Sequence, residues 1–289
     1  MPPDAGPGPE STSGPVEPGD IAAEIETRLA DGAIDLPVLP RVATEVVDLT
    51  SRPDSATSDL VDLIHRDQAL AANVLRVANS VLYGGRIPIV SLRQAIARLG
   101  MEVLSQIALT ASMQTDLYRV PGYEEEIHRL WRHALVTGQL AREIARDRRQ
   151  NVESAFLCGL LHAVGKPVVL KILSDLTPAG TLDLEMVHRL TDEFQVEAGT
   201  MLAAEWNLPD DVTEAMVVCA NPARVTDCSA GPIIATVAAA LGRHLLGEDP
   251  DMDLTNHPGV AQLNIDPDAL DSLIARSEEI LERVDTLAG

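Results

Sequence analysis

Two histidines are the residues of this sequence whose type and surroundings best suit chemistry: His133 in WRHALVTG and His162 in GLLHAVG. Each lies on an apolar face of a predicted helix. Neutral imidazole is a good ligand for zinc, iron or manganese, and two facing helices could bring both rings to one ion. The alternative is that each ring is a hydrogen-bonded core residue. A metal also needs further ligands, and the residue after His162 is Ala163, whose methyl group cannot coordinate.

A short basic run ends the helix that carries His133. It contains Arg142, Arg146 and Arg149, with Arg148 between the last two. One interpretation is a solvated helix end, because cations near a helix C-terminus interact favourably with the helix dipole. The other is an anion site, for example for the phosphate of a nucleotide. The sequence leaves both open.

Charge excludes two classes of partner. The chain of 289 residues has 44 Asp and Glu against 22 Lys and Arg, which gives a formal net charge of -22. Affinity for nucleic acid and for anionic lipid comes largely from Lys and Arg. We therefore expect no nucleic-acid and no membrane partner.

Cysteine usage favours a reducing compartment, and hydropathy gives no sign of a membrane span or a signal peptide. Cys158, Cys219 and Cys228 are odd in number and form no CxxC pair, so neither a disulfide framework nor a zinc ribbon is indicated. The sequence shows no run of about 18 uninterrupted apolar residues, and its start lacks the layout of a signal peptide. We expect a cytoplasmic protein without a cofactor.

The elements that must position the histidines are predicted to be helices almost throughout. Residues 1–20 hold six Pro, four Gly and no Lys or Arg, which predicts a disordered tail. Asp20, Asp67 and Asn151 are predicted helix caps, and Ser91 with Gln94 forms a capping box for a helix that Gly100 closes. The remaining predicted helices cover about 40–50, 123–147, 167–173, 183–193, 194–206, 210–220 and 230–246, with a last one after Pro267. The helix that Asn151 caps should stop near Gly165, and Ile87–Val90 is the one strand candidate.

The order of several spaced motifs resembles the HDOD domain, a bacterial signalling relative of the HD metal-dependent phosphohydrolases. The motifs are LPVLPRVATEVVDL (36–49), LIHRDQALAANVLRVANSVLYG (63–84), VSLRQAIARLG (90–100), LWRHA, FLCGLLHAVGK and MLAAEWNLP (201–209). The similarity extends over about residues 29–240. It implies an all-α fold of two packed helical subdomains, of which the C-terminal one resembles an HD domain. We assign residues 21–118 to the first, and 119–289, with an acidic helical extension, to the second.

The resemblance also implies which metal ligands are lost. His133 matches the first histidine of catalytic HD proteins, and His162 matches the histidine of the His-Asp pair. Ala163 replaces the aspartate of that pair, and Gln195 stands where related sequences often have histidine. Cys219 and the residue after it replace a His-His pair, and the helix TVAAALGRHL (236–245), expected to supply a last aspartate, has no carboxylate. We therefore expect no metal and no catalytic residue.

These observations favour a non-catalytic signal-transduction module that acts by protein-protein interaction. Asn79, Ser80, Tyr83 and Gly84 are candidate partner-binding residues, because polar and aromatic groups in a loop have few packing reasons to be there; capping is their alternative role. Two other functions stay open. One is a metal-dependent phosphohydrolase acting on a nucleotide or cyclic dinucleotide, and the other is a nucleotide sensor that binds a second messenger without cleaving it.

Overall fold

Helices are the only regular secondary structure in the described part of the protein. The computed structural model describes residues 18–32, 34, 36, 41–50, 56–80, 88–113, 118–178, 181–276, 279–282 and 284, and within these ranges it has no strand. The predicted all-α fold is thus confirmed. The α-helices are α1 (Pro18–Ala30), α2 (Arg41–Thr50), α3 (Thr57–His65), α4 (Gln68–Ala78), α5 (Leu92–Met113), α6 (Glu124–Asp147), α7 (Val152–Leu161), α8 (Gly165–Leu176), α9 (Leu184–Glu205), α10 (Asp210–Ala220), α11 (Ala230–Leu245), α12 (Pro258–Gln262) and α13 (Pro267–Ala275).

Helices α2 to α5 form a first bundle around α5, which contacts the other three. The apolar faces of these helices share one core, in which Ile64, Val74 and Ile107 are fully buried. Asp67 caps α4 as predicted, because its carboxylate accepts a hydrogen bond from the N–H of Leu70 at 3.0 Å. A satisfied cap of this kind fixes where α4 begins after the short turn from α3.

Gly100 closes a helical segment, as predicted, and α5 consists of two such segments that meet at a kink there. Its φ of +84° and ψ of 165° are not helical, and glycine is the residue that tolerates a positive φ without strain. The chain returns to helix at once and continues to Met113. The predicted capping arrangement opens the helix: the N–H of Gln94 donates to Oγ of Ser91 at 3.3 Å, and Oε1 of Gln94 accepts from the N–H of Val90 at 2.8 Å.

Helix α6 is the spine of a second helical body. Helices α7 and α11 run against it, α10 closes on both of these, and α8 packs on α9. The backbones of α6 and α7 nearly touch, since a methyl group on Gly159 would lie 2.8 Å from the carbonyl oxygen of Thr137. Asn151 caps α7 as predicted and accepts from the N–H of Ser154 at 2.9 Å.

Helix α1 belongs in space to this second body. It packs against α8 and α9, and Ile21, Ile25 and Leu29 on its inner face are at most 2% exposed. The sequence analysis assigned these residues to the first subdomain. Long-range packing, which no local pattern reports, therefore carries the first helix across the predicted division.

The start of α1 also differs from the prediction. The helix begins at Pro18, so Asp20 lies in its first turn and does not cap it. An acidic side chain in the first turn still interacts favourably with the helix dipole. The last residues of the predicted tail are thus helical, and residues 1–17 lie outside the described residues.

Gly165 begins a helix where a helix end was predicted. Helix α7 ends at Leu161, a turn follows, and α8 starts at Gly165. The reason is a close approach between helices: a methyl group at Gly165 would lie 1.9 Å from the backbone oxygen of Gln195 on α9. The glycine is thus required by packing and not by a turn.

Helix α9 is continuous where two helices, 183–193 and 194–206, were predicted. The polar run around Asp192 resembles a helix cap in sequence. In the structure its carboxylate pairs with Nζ of Lys166 on α8 at 2.5 Å. The carboxylate thus pairs with a neighbouring helix and does not cap α9.

The strand candidate and the last predicted helix differ in outcome. Residues 88–90 of the strand candidate have no regular secondary structure, and Ile87 lies outside the described residues. The last predicted helix starts as expected, because Asp266 caps α13 and accepts from the N–H of Ala269 at 2.8 Å. Helix α13 itself ends at Ala275, and residues 279–282 and 284 are helical again, with Ile280 and Val284 of the predicted apolar face buried.

One stretch of the described chain, Val152–Leu176, is long and apolar enough to cross a membrane by length and composition. It consists of α7, a turn and α8. Within its most apolar window, 83% of the residues are buried inside the protein. Core helices of soluble proteins pass the same test, so the stretch is weak evidence for a membrane span.

Candidate functional site

His133 lies in the middle of α6 and is bound to the backbone of α11. Its side chain is 7% exposed, and Nε2 lies 3.2 Å from the carbonyl oxygen of Ala239. Because a carbonyl oxygen only accepts hydrogen bonds, Nε2 carries the proton and donates. Helix α11 comes close here because it presents Gly242, where a methyl group would lie 3.4 Å from the ring. The helix that the resemblance implies for the last aspartate therefore presents backbone to the histidine.

His162 caps the C-terminal end of α7, immediately before the turn to α8. Its side chain is 6% exposed, and Nδ1 lies 2.8 Å from the carbonyl oxygen of Gly159. The same argument places the proton on Nδ1. The second histidine is thus also hydrogen-bonded to the backbone.

The two imidazole rings meet edge to face, with their centroids 5.1 Å apart and their planes at 78°. Burial lowers the pKa of His133 to about 4 and the pKa of His162 well below its usual value, and a charge on His133 would lower the pKa of His162 further. Both rings are therefore neutral at pH 7. Each ring has one nitrogen, Nδ1 of His133 and Nε2 of His162, that makes no hydrogen bond to a described residue.

The positions that should complete a metal centre do not fit one. Ala163 offers no donor atom, and the side chain of Gln195 donates back to the carbonyl oxygen of Asp192 at 3.2 Å. Cys219 accepts a hydrogen bond from Oγ1 of Thr236 at 3.4 Å, and burial raises its pKa to about 12, so it remains a protonated thiol. Among the described residues, no three His, Cys, Asp or Glu side chains are grouped so that they could hold a metal ion.

Arg142 is buried in a polar network between the two helical bodies. It is 5% exposed, and its Nη1 donates to the amide oxygens of Gln106 and Gln139, both at 3.1 Å. Its Nε lies 3.0 Å from Glu102 on α5, and Arg146 reaches the same carboxylate at 2.5 Å. Two of the three predicted anion-binding arginines, the buried Arg142 and the exposed Arg146, are thus already paired with a carboxylate of the protein.

The rest of the basic run does not restore an anion site. Arg149 is exposed at the end of the run, with a positive φ of 54°. Arg148 donates from Nη1 to the carbonyl oxygen of Asn264 at 3.1 Å. The interpretation of Arg142, Arg146 and Arg149 as one anion site is therefore corrected. It failed because the acidic partner Glu102 is distant in sequence.

Asn79 fastens the segment that precedes α5. Its Nδ2 donates to the carbonyl oxygens of Leu75 at 2.9 Å and of Ile89 at 2.7 Å, and its Oδ1 accepts from the N–H of Ile89 at 2.7 Å. These contacts support the capping role that was weighed against partner binding. Ser80 follows it, half-buried. Tyr83 and Gly84, the other two candidate residues, lie outside the described residues.

A cleft between the two helical bodies was not predicted from the sequence. It has a volume of about 1070 Å3 and lies between α2, α3, α4 and the first turns of α6. We call it the junction cleft; its polar wall includes Arg41, Glu45, Asn73, Arg119, Glu124 and His128. Neither His133 nor His162 lines it. No local motif could reveal it, because its walls come from segments far apart in the chain.

Two solved structures have the same fold. An HDOD domain protein with unknown function from Geobacter sulfurreducens is 25% identical, with a TM-score of 0.72 over 91% of this chain and 99% of that one. A protein of Shewanella amazonensis SB2B, whose provisional name is metal-dependent phosphohydrolase, is 21% identical, with a TM-score of 0.70 over 92% of this chain and 99% of that one. The second likeness shows the fold alone.

A sequence relative and a family model complete the comparison. An uncharacterized protein of Treponema pallidum (strain Nichols) is 28% identical over 252 residues, which are 81% of this chain and 48% of that protein. The chain thus spans about half the length of this relative. The family model of the HDOD domain matches residues 36–222, which reach from before α2 to the end of α10 and the turn after it. The chain belongs to the HDOD domain family.

Proposed function

We propose that this protein is a regulatory module of bacterial signal transduction that acts in the cytoplasm, binds another protein and catalyses no reaction. Membership of the HDOD family supports a regulatory, HD-like role. The observation that carries the proposal is the state of the histidine pair. Both rings are buried, neutral and hydrogen-bonded to backbone carbonyls, in a frame that otherwise keeps the family fold.

The chemistry of the pair supports the absence of catalysis. A catalytic metal centre typically needs three protein ligands and an open position, where a bound water loses its proton near neutral pH. Here two imidazoles are present, and α11 fills the adjoining space with the carbonyl of Ala239 and with Gly242. Hard divalent ions also prefer oxygen ligands, and the residue after His162 supplies none.

The first experiment measures metal content and partner binding on the whole chain. Elemental mass spectrometry of protein purified without a metal-affinity step should find far less than one iron, manganese or zinc per chain. A chelator should leave the melting temperature unchanged. Cross-linking in the native bacterium, followed by affinity purification, should recover the same partner in replicate experiments. Near-stoichiometric metal would contradict the non-catalytic part, and the absence of any reproducible partner would contradict the binding part.

A phosphohydrolase is the second candidate, because one feature of the pair favours it. The two rings are adjacent and neutral, which is the form of imidazole that ligates metals, and each has one nitrogen free of described partners. If this candidate is right, purified protein with Mn²⁺ or Fe²⁺ hydrolyses phosphoesters, and His162→Ala abolishes the turnover. Under our proposal the same assay shows no turnover above the buffer control.

A further inference from the structure

The junction cleft is a large opening between the two helical bodies, with room for a chain segment. Small-molecule sites usually enclose about 300–1,000 Å3, whereas this cleft has about 1070 Å3. Apolar side chains from several helices line it, among them Val42, Leu70 and Ile127. The aromatic rings of Tyr118 and Trp131 also line it, with their centroids 4.5 Å apart. An occupant must therefore bring apolar groups of its own.

The acceptors in the wall of the cleft are already engaged. Glu45 accepts from Arg41 at 2.6 Å and is paired with Arg66 at 3.0 Å. Asp67 caps α4, as described above. Glu124 accepts from a backbone N–H two residues before it at 3.0 Å. Each of the three carboxylates of the wall thus has at least one hydrogen-bond donor within the protein.

Arg41 and Arg66 in the same wall are paired with Glu45, but three other donor groups of the wall have no partner among the described residues. Arg119 is exposed and has no ion pair or hydrogen bond within the described part of the chain. The oxygen of Asn73 accepts from Arg76 at 2.7 Å, but its Nδ2 donates to no described residue. The indole nitrogen of Trp131, whose side chain is 3% exposed, is buried without a partner. An occupant that complements this wall must present acceptors and negative charge.

We propose that the junction cleft binds a peptide segment of a partner protein in which Asp or Glu flanks apolar side chains. This deepens the proposed function and rests on it. Grooves that take an amphipathic helix recognise it in this manner, with an apolar seam and charges beside it. The net charge of -22 repels an acidic peptide elsewhere on the surface. A comparison of Arg119 with an exposed arginine outside the cleft therefore shows whether a bound peptide lies in the cleft.

The test is a selection of random 12-residue peptides displayed on phage against the whole chain. Selected peptides should combine Asp or Glu with Leu, Ile or Phe. Synthetic copies should bind about tenfold more weakly to Arg119→Glu, which corresponds to about 1.4 kcal/mol. Asn73→Asp, which replaces a donor with a negative charge at nearly the same shape, should also weaken them. The matched control is Arg224→Glu, because this exposed arginine lies outside the cleft and has no described ion pair.

Three outcomes would overturn the proposal. The first is that no peptides are selected, and the second is that basic peptides are selected, which bind the acidic surface. The third is that wild type and both cleft variants bind acidic peptides equally, while all variants melt as the wild type does. Cross-linking in the cell separates this from the proposed function. A partner that is captured equally well by Arg119→Glu leaves the proposed function intact and refutes the cleft, whereas the absence of any partner refutes the proposed function.

Discussion

Lowering the pH from 7 to 4.5 should destabilise the protein through His133. In the unfolded chain a histidine has a pKa of about 6.5, whereas burial lowers the pKa of native His133 to about 4. The unfolded state therefore binds the proton first. The penalty is almost absent above pH 6.5 and grows as the pH falls towards the native pKa, where it levels off.

The magnitude follows from the two pKa values. At pH 4.5 the unfolded ring is almost fully protonated and the native ring mostly neutral, so the loss of unfolding free energy relative to pH 7 is about 2 kcal/mol. Many carboxylates also titrate in this range, so the wild type alone would not isolate the effect. His133→Gln provides the reference, because glutamine cannot be protonated here and can still donate to the carbonyl of Ala239.

The assay is urea unfolding of wild type and His133→Gln at pH values from 7 to 4.5. We expect the stability of the wild type relative to the variant to fall by about 2 kcal/mol across this range. A difference that does not change with pH would refute the reasoning. It would mean that the native ring is already open to protonation, and hence not held neutral by burial.

Three further predictions concern packing and hydrogen bonds. Arg142→Met should lower the free energy of unfolding in urea by about 2–4 kcal/mol, because it leaves the buried amide oxygens around it without their donor. Arg146→Met, at a half-exposed position, should lower it by less than about 1 kcal/mol. Equal losses would contradict this reasoning. Gly165→Ala should cost about 3 kcal/mol or more in thermal unfolding, and a neutral result would mean that α8 and α9 separate freely. Asn79→Ala should cost about 1–2 kcal/mol and speed hydrogen exchange at the N–H of Ile89, and unchanged exchange there would show that the asparagine does not hold the segment.

Local signals in the sequence predicted much of the fold. The caps at Asp67 and Asn151 depend on residues three positions away, and both are confirmed in the structure. The long helix that carries His133 is also confirmed, because its apolar stripe repeats at helical spacing over many turns. Features that depend on residues close in sequence could thus be predicted.

What the sequence could not predict depends on distant neighbours. Gly165 was interpreted as a helix end, although its lack of a side chain serves the contact with Gln195 on α9. Arg142 was interpreted as exposed, although Glu102, forty residues earlier, neutralises it. The loss of the carboxylate at Ala163 was visible in sequence. The hydrogen bond from His133 to the carbonyl oxygen of Ala239 could be found only from the structure, because it depends on the packing of α11 against α6.

The packing of α1 on α8 and α9 has a consequence for how the protein unfolds. Since α6 belongs to the same second body, the chain leaves that body after α1, builds the bundle of α2 to α5, and returns to it at α6. If the bundle melts first, its chain becomes a closed loop with both ends held. A closed loop has less conformational freedom than a free chain, and the difference grows with the logarithm of its length. Because both ends of its chain are held by the second body, the bundle is stabilised against unfolding. Detachment of α1 would remove this stabilisation without breaking a contact inside the bundle.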